Sequence, residues 1–143
     1  MPHVNKSALV PFSASQMYKL VADVDAYQEF LPWCGHSELL SHEGDVVVGT
    51  VTIAKGGVNK SFTTENHLQE NEHIEVKLVD GPLKKLEGYW RFDALKEGAC
   101  KVSLDLEYEF SSKLLGMVVG PVFNQVANTM VDSFVKQARV AYG

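Results

Sequence analysis

From Cys100 to Phe110 the chain alternates without a break. Cys100, Val102, Leu104, Leu106, Tyr108 and Phe110 fall on one parity; Lys101, Ser103, Asp105, Glu107 and Glu109 fall on the other. Because strand side chains point to opposite faces in turn, this stretch is a strand with one apolar and one solvated side. Antiparallel sheets tolerate one wet face, whereas purely parallel sheets are covered on both. Two earlier stretches repeat the pattern. Leu86, Gly88, Trp90 and Phe92 oppose Glu87, Tyr89, Arg91 and Asp93, while Ile74, Val76 and Leu78 oppose Glu75 and Lys77.

The punctuation between strands agrees with hairpins. A first strand is predicted over Asn5 to Phe12, and six more at about 35–42, 46–54, 58–68, 73–80, 85–95 and 100–110. Glu43-Gly44-Asp45, Gly56-Gly57, Glu70-Asn71, Asp80-Gly81-Pro82 and Glu97-Gly98 separate them, and such short turn-forming links join antiparallel neighbours. Between the first and second strands, Ser13 or Ser15 offers a helix cap, and Met17, Leu20, Val21 and Val24 recur at helical spacing. Tyr27 to Leu31 can add another turn before Pro32, since the residue before proline is pushed out of the helical region.

One apolar sheet face has to be covered, and the last segment suits the task. From Pro121 to Tyr142 the residues Phe123, Val126, Ala127, Met130, Phe134, Ala138 and Ala141 form a helical stripe, with Asn128, Asp132, Lys136 and Arg139 opposite. At 1.5 Å per residue that helix is roughly 33 Å long, enough to cross the sheet. The expected fold is α+β: a curved seven-stranded antiparallel sheet gripping a long C-terminal helix, with two short helices after the first strand.

At 143 residues, with 45% hydrophobic content, one domain over 1–143 is expected, burying roughly 70% of its unfolded surface without disulfides or metal. Cys34 and Cys100 have no partners at metal-ligand spacing and are read as reduced thiols. No basic stretch followed by an apolar run opens the sequence, and the uncharged run Leu114 to Val131 is broken by Pro121, Asn124, Gln125, Asn128 and Thr129. A cytoplasmic protein is expected, with peripheral contact at the inner face of the membrane as an alternative. The net charge of -5 argues against a general grip on nucleic-acid phosphates, so DNA is not an expected partner. The acidity is lopsided, however. Residues 1–80 hold 5 Lys/Arg and 11 Asp/Glu, and residues 81–143 hold 8 and 7, leaving room for a local basic spot at Lys84, Lys85 and Lys113.

Signatures of catalysis are missing. His3, His36, His42, His67 and His73 form no zinc-binding pair, and no Gly-x-Ser-x-Gly elbow occurs. His36 beside Cys34 or Ser37 lacks a third residue to orient it, His67 shares the solvated parity of Thr63 and Glu65, and Asp23 and Asp25 read as solvated or capping carboxylates. The expectation is a protein that is not an enzyme, with no metal and no required cofactor.

A binding signal is stronger. On the predicted strand 58–68 the inward parity is Val58, Lys60, Phe62, Thr64, Asn66 and Leu68, so Thr64 and Asn66 interrupt an apolar face. An unpaired buried polar group costs about 1–3 kcal/mol, so each should meet a protein partner such as backbone or Trp90, a water, or a ligand. Phe62, Thr64, Asn66, Trp90, Phe123, Met130 and Phe134 are the expected lining of a pocket between sheet and helix. Leu31 and Trp33, in Phe30-Leu31-Pro32-Trp33, and the run Leu114 to Val119 read as core packing or, alternatively, as a portal or transient membrane contact.

Four spaced motifs carry a family resemblance: Val-Ala-Asp-Val-Asp-Ala-Tyr-Gln-Glu-Phe-Leu-Pro-Trp-Cys (21–34), Phe-Thr-Thr-Glu-Asn (62–66), Leu-Val-Asp-Gly-Pro-Leu-Lys-Lys-Leu-Glu-Gly-Tyr-Trp-Arg-Phe (78–92) and Leu-Glu-Tyr-Glu-Phe (106–110). In order and over the whole chain they resemble the START-like coenzyme Q-binding family, departing at Gln28, where proline is common, and at Leu83, where phenylalanine is usual. The resemblance implies a helix-grip fold, START-like or Bet v 1-like, whose cavity holds ubiquinone, another polyprenyl quinone, a lipid or a polyketide. For the mitochondrial branch it implies ubiquinone binding in support of respiration. For the bacterial branch, the nearer in these motifs, it implies a toxin that binds the large ribosomal subunit and blocks subunit association. More distant cyclase-like enzymes share the fold and supply a third alternative.

Overall fold

The computed structural model describes residues 3–143. Strand β1 (His3–Val10) leads into helix α1 (Ala14–Ala22), a short 3-10 turn (Val24–Ala26) and helix α2 (Tyr27–Phe30). Six strands follow: β2 (Cys34–Glu43), β3 (Val46–Lys55), β4 (Val58–Gln69), β5 (His73–Asp80), β6 (Leu83–Lys96) and β7 (Ala99–Phe110), then helix α3 (Lys113–Tyr142). All pairings are antiparallel, in the order β1-β7-β6-β5-β4-β3-β2. The curved seven-stranded sheet grips α3, as the alternation predicts.

Besides shifts of a residue or two at other element ends, three features depart from the sequence reading. β1 pairs from His3 opposite Glu107 to Val10 opposite Cys100 and stops there, because Pro11 has no N–H for the ladder and Phe12 turns into the core. The larger difference is α3, which begins at Lys113 and not at Pro121. Ser112 supplies the start, its hydroxyl accepting from the Leu115 N–H at 3.1 Å. Pro121 lies inside the helix on its exposed side, where the carbonyl of the equally exposed Met117, left without its usual partner, can be hydrated. Finally, Ala141 is exposed beyond the end of the buried stripe.

The capping expectation for α1 resolves to Ser13. Its hydroxyl accepts from Gln16 N–H at 3.1 Å while the Gln16 amide oxygen accepts from Ser13 N–H at 2.9 Å, a reciprocal box that satisfies two orphan donors. α1 then buries Met17, Tyr18 and Val21. α3, which packs against α1, buries Val119, Phe123, Val126, Ala127, Val131, Phe134 and Ala138. By length and composition α3 could also cross a bilayer, with a mean hydropathy of 1.3 over its most apolar window. Here its apolar stripe faces the sheet.

Candidate functional site: an apolar cavity under the long helix

Strands β3 to β7 and α3 do not close completely. Between them lies a cavity of about 120 Å³. β4 contributes Phe62, Thr64, Asn66 and Leu68, β6 contributes Leu86 and Trp90, and α3 contributes Phe123, Val126, Ala127 and Met130. Val47, Gly49, Val51 and Ile53 on β3, Ile74 and Val76 on β5, and Leu104 and Leu106 on β7 extend the floor; Val21, Ala22, Val24, Tyr27 and Trp33 close one end. Not one of these lining residues is charged.

Six of the seven expected pocket residues are therefore gathered around one space: Phe62, Thr64, Asn66, Trp90, Phe123 and Met130. Phe134 is not among them. It is fully buried in an aromatic cluster, with ring centroids 5.3 Å from Tyr27, 5.6 Å from Phe30 and 5.4 Å from Trp90. The short helix α2 brings Tyr27 and Phe30 to that part of the helical stripe, so it packs where Phe123 borders space. Lys60, placed on the inward parity from sequence, is exposed near the start of β4.

The polar fixtures have a definite arrangement. Thr64 Oγ1 donates to Asn66 Oδ1 at 3.2 Å, so the partner of Asn66 is its neighbour and not Trp90. Among the described residues that is the only hydrogen bond of the Asn66 side chain, although the residue is only 8% exposed. Tyr27 donates its hydroxyl to the Val21 carbonyl, and burial pushes its pKa above the ordinary phenol value. Trp33 supplies a feature that the sequence reading missed. Its indole Nε1 is buried without any hydrogen-bond partner among the described residues. Only the chemistry of tryptophan, a donor with no acceptor capacity, could have signalled it.

The expected portal divides in two. Leu31 and Trp33 are buried, at 2% and 5% exposure, because the 3-10 turn and α2 fold them beneath the surface; neither is an exposed lip. Leu114, Met117 and Val118 are exposed at 70%, 69% and 60%, on the first turns of α3 where a loop was expected. The basic spot is smaller than its three lysines suggested. Lys85 lies 3.2 Å from Glu87 and 3.3 Å from Glu107, and its hydrogen bonds, first to Glu87 and then to Glu107, raise its pKa. Lys84 and Lys113 are exposed and form no ion pair among the described residues. The Ser111 N–H donates to the Pro82 carbonyl at 3.2 Å, which holds these two lysines at the same end of the molecule.

Nucleophilic chemistry finds no support at Cys34. Its thiol donates to the His36 carbonyl at 3.3 Å and burial raises its pKa, while Ser37 is engaged with the Asp25 carbonyl and Gln28 N–H. His67 lies on the outer face, 2.8 Å from Glu65.

Comparison with known proteins agrees with this architecture. Residues 10–135 match the family described as polyketide cyclase/dehydrase and lipid transport. The chain is 47% identical over 143 residues to the ribosome association toxin RatA of Vibrio cholerae, covering 100% of this chain and 99% of that one. It is 32% identical to the mitochondrial coenzyme Q-binding protein COQ10 homolog B of Xenopus laevis, covering 97% of this chain and 59% of that one. Among solved structures, the Zhui aromatase/cyclase of Streptomyces sp. R1128 superposes with a TM-score of 0.80 at 18% identity, over 96% of this chain and 93% of that one, a likeness of fold alone. The chain belongs to the polyketide cyclase/dehydrase and lipid transport family and is related over nearly its whole length to ribosome association toxins and coenzyme Q-binding proteins.

Proposed function

We propose that the chain binds an uncharged, carbonyl-bearing lipophile of the quinone class in the cavity under α3, without transforming it, and so supports respiration. The charge-free lining carries this reading. A buried carboxylate or phosphate would meet no cation there, and an unpaired buried ion costs several kcal/mol. A neutral ligand avoids that cost, and its carbonyl oxygen can accept from the Asn66 amide. General acid–base catalysis needs a titratable group near the reacting atom. The lining offers only the Tyr27 hydroxyl, already engaged and made less acidic by burial. The relative named for coenzyme Q binding supports the quinone class. The exposed Leu114, Met117 and Val118 beside Lys113 suit peripheral contact with the inner face of a membrane, from a cytoplasmic protein.

The test uses the tail-free quinone 2,3-dimethoxy-5-methyl-1,4-benzoquinone and quenching of tryptophan fluorescence. Wild-type protein binds it; Asn66→Leu is expected to bind it roughly fivefold more weakly, the loss of one hydrogen bond. Equal affinities would remove the amide from the site. No quinone binding, together with an organic extract of natively purified protein that contains nothing apolar, would overturn the reading.

A second reading is favoured by the 47% identity to a ribosome association toxin: binding to the large ribosomal subunit and blocking of subunit association. With a net charge of -5 the contact has to be local, and Lys84 and Lys113, exposed at one end of the molecule, are cations suited to make it. Co-sedimentation with large subunits should then fall with rising salt and in a Lys84→Glu/Lys113→Glu double variant. Sedimentation apart from the subunits at low salt rejects it.

A further inference from the structure

A second cavity, of about 330 Å³, lies at the end of the sheet away from the start of α3. Ala22, Val24, Val47 and Leu68 line both cavities, so the partition between them is a single layer of side chains. Val24 is central to that layer. It projects over β3 at Gly49, where even an added Cβ would lie 2.9 Å from Val24 Cγ1. On the outer side the wall is continued by Tyr18 and by Leu39, a large apolar residue left 44% exposed.

Resting on the reading above, we infer that the two cavities are halves of one site: the inner holds the polar head of the ligand, and the outer holds an uncharged hydrocarbon tail that passes between Ala22, Val24, Val47 and Leu68. Volume favours this division. Small-molecule pockets usually span roughly 300–1,000 Å³, which the inner cavity falls short of and the two together reach. The rim carries both signs of charge, Lys19 and His42 as well as Asp23 and Asp25. It selects no charged terminus, and the apolar wall inside it, formed by Ala22, Val24, Leu39, Val47 and Leu68, suits a plain hydrocarbon. The tail thus leaves by the α1 end of the sheet, not past the apolar first turns of α3.

The experiment compares two probes with the same head, 2,3-dimethoxy-5-methyl-1,4-benzoquinone and decylubiquinone, by tryptophan quenching. In the wild type the ten-carbon tail should tighten binding at least about tenfold, the gain from a few buried methylenes. Ala22→Phe, which thickens the partition, should reduce that ratio to near one. Leu39→Asp lies on the exposed outer wall, where folding is not at stake; it should lower the ratio several-fold while the tail-free affinity stays unchanged. A ratio that survives both substitutions, or that falls only on changing Val118 at the α3 end, overturns the tail route but leaves head binding standing. Failure of the tail-free quinone to bind wild-type protein instead overturns the proposed function, and this inference with it.

Discussion

Replacing Phe134 by alanine is expected to lower the free energy of unfolding by about 3–5 kcal/mol, a large part of the roughly 5–15 kcal/mol typical of a domain. Phe134 is 0% exposed, and its ring meets Tyr27, Phe30 and Trp90 in edge-on contacts at 5.3–5.6 Å. Such aromatic pairs contribute about 0.5–1.5 kcal/mol beyond the area they bury. The contrast is Met130, one turn earlier on the same stripe, which already borders empty space. Met130→Ala should cost less, about 2 kcal/mol at the low end of core truncations, because it enlarges a cavity where Phe134→Ala creates one. Urea melts of both variants decide the matter. Equal midpoints would mean that Phe134 lines the cavity after all.

That contrast marks where the sequence stops being informative. A 3.6-residue period identifies which side of α3 is buried, and Phe123, Met130 and Phe134 all satisfy it. It carries no information on what sits opposite each turn. Tyr27 and Phe30 reach Phe134 only because Ser37, on β2, holds the preceding turn by donating to the Asp25 carbonyl and accepting from Gln28 N–H, both at 3.1 Å. The same long-range folding buries Leu31 and Trp33, which resemble loop residues when read in isolation. Strand parity was more reliable. The alternation in β7 and β6 correctly separates Leu104, Leu106 and Trp90 from their solvated neighbours, since a period of two leaves each residue only two faces to choose from.

Helix boundaries were legible only where one cue acted alone. Pro121 is a favourable first helical residue, yet the Ser112 cap nine residues earlier sets the true start. Proline on the solvent side of a long helix forfeits one hydrogen bond without clashing with a partner element, so tertiary packing over the following turns overrides it. Lys85 illustrates the same limit for charge. Its partner Glu107 lies on another strand, 22 positions away, and no local pattern announces the pair.

The second large effect concerns a residue that parity placed on the cavity face without explaining. Gly88 lies between Leu86 and Trp90, both of which line the cavity, and pairs with Leu106 of β7. A Cβ added there would sit 2.0 Å from the Asp105 carbonyl oxygen and 2.8 Å from Leu106 Cα. Backbone therefore occupies the place of a side chain. This is the close approach by which glycine lets a sheet bend tightly, and it brings Trp90 and Leu104 together on the cavity floor. Away from such contacts, replacing glycine by alanine commonly stabilises a protein by about 0.4–1 kcal/mol through the unfolded chain. Gly88→Ala should reverse the sign and cost about 3 kcal/mol or more, because β6 and β7 must separate along the longest pairing in the sheet. Gly98→Ala serves as the control: it lies in the turn joining the same strands, has nothing within 4 Å of the added Cβ, and pays only for its φ of 77°. That penalty is about 1–2 kcal/mol. If thermal melts place Gly88→Ala no lower than Gly98→Ala, the close approach of β7 does not set the curvature of the cavity floor.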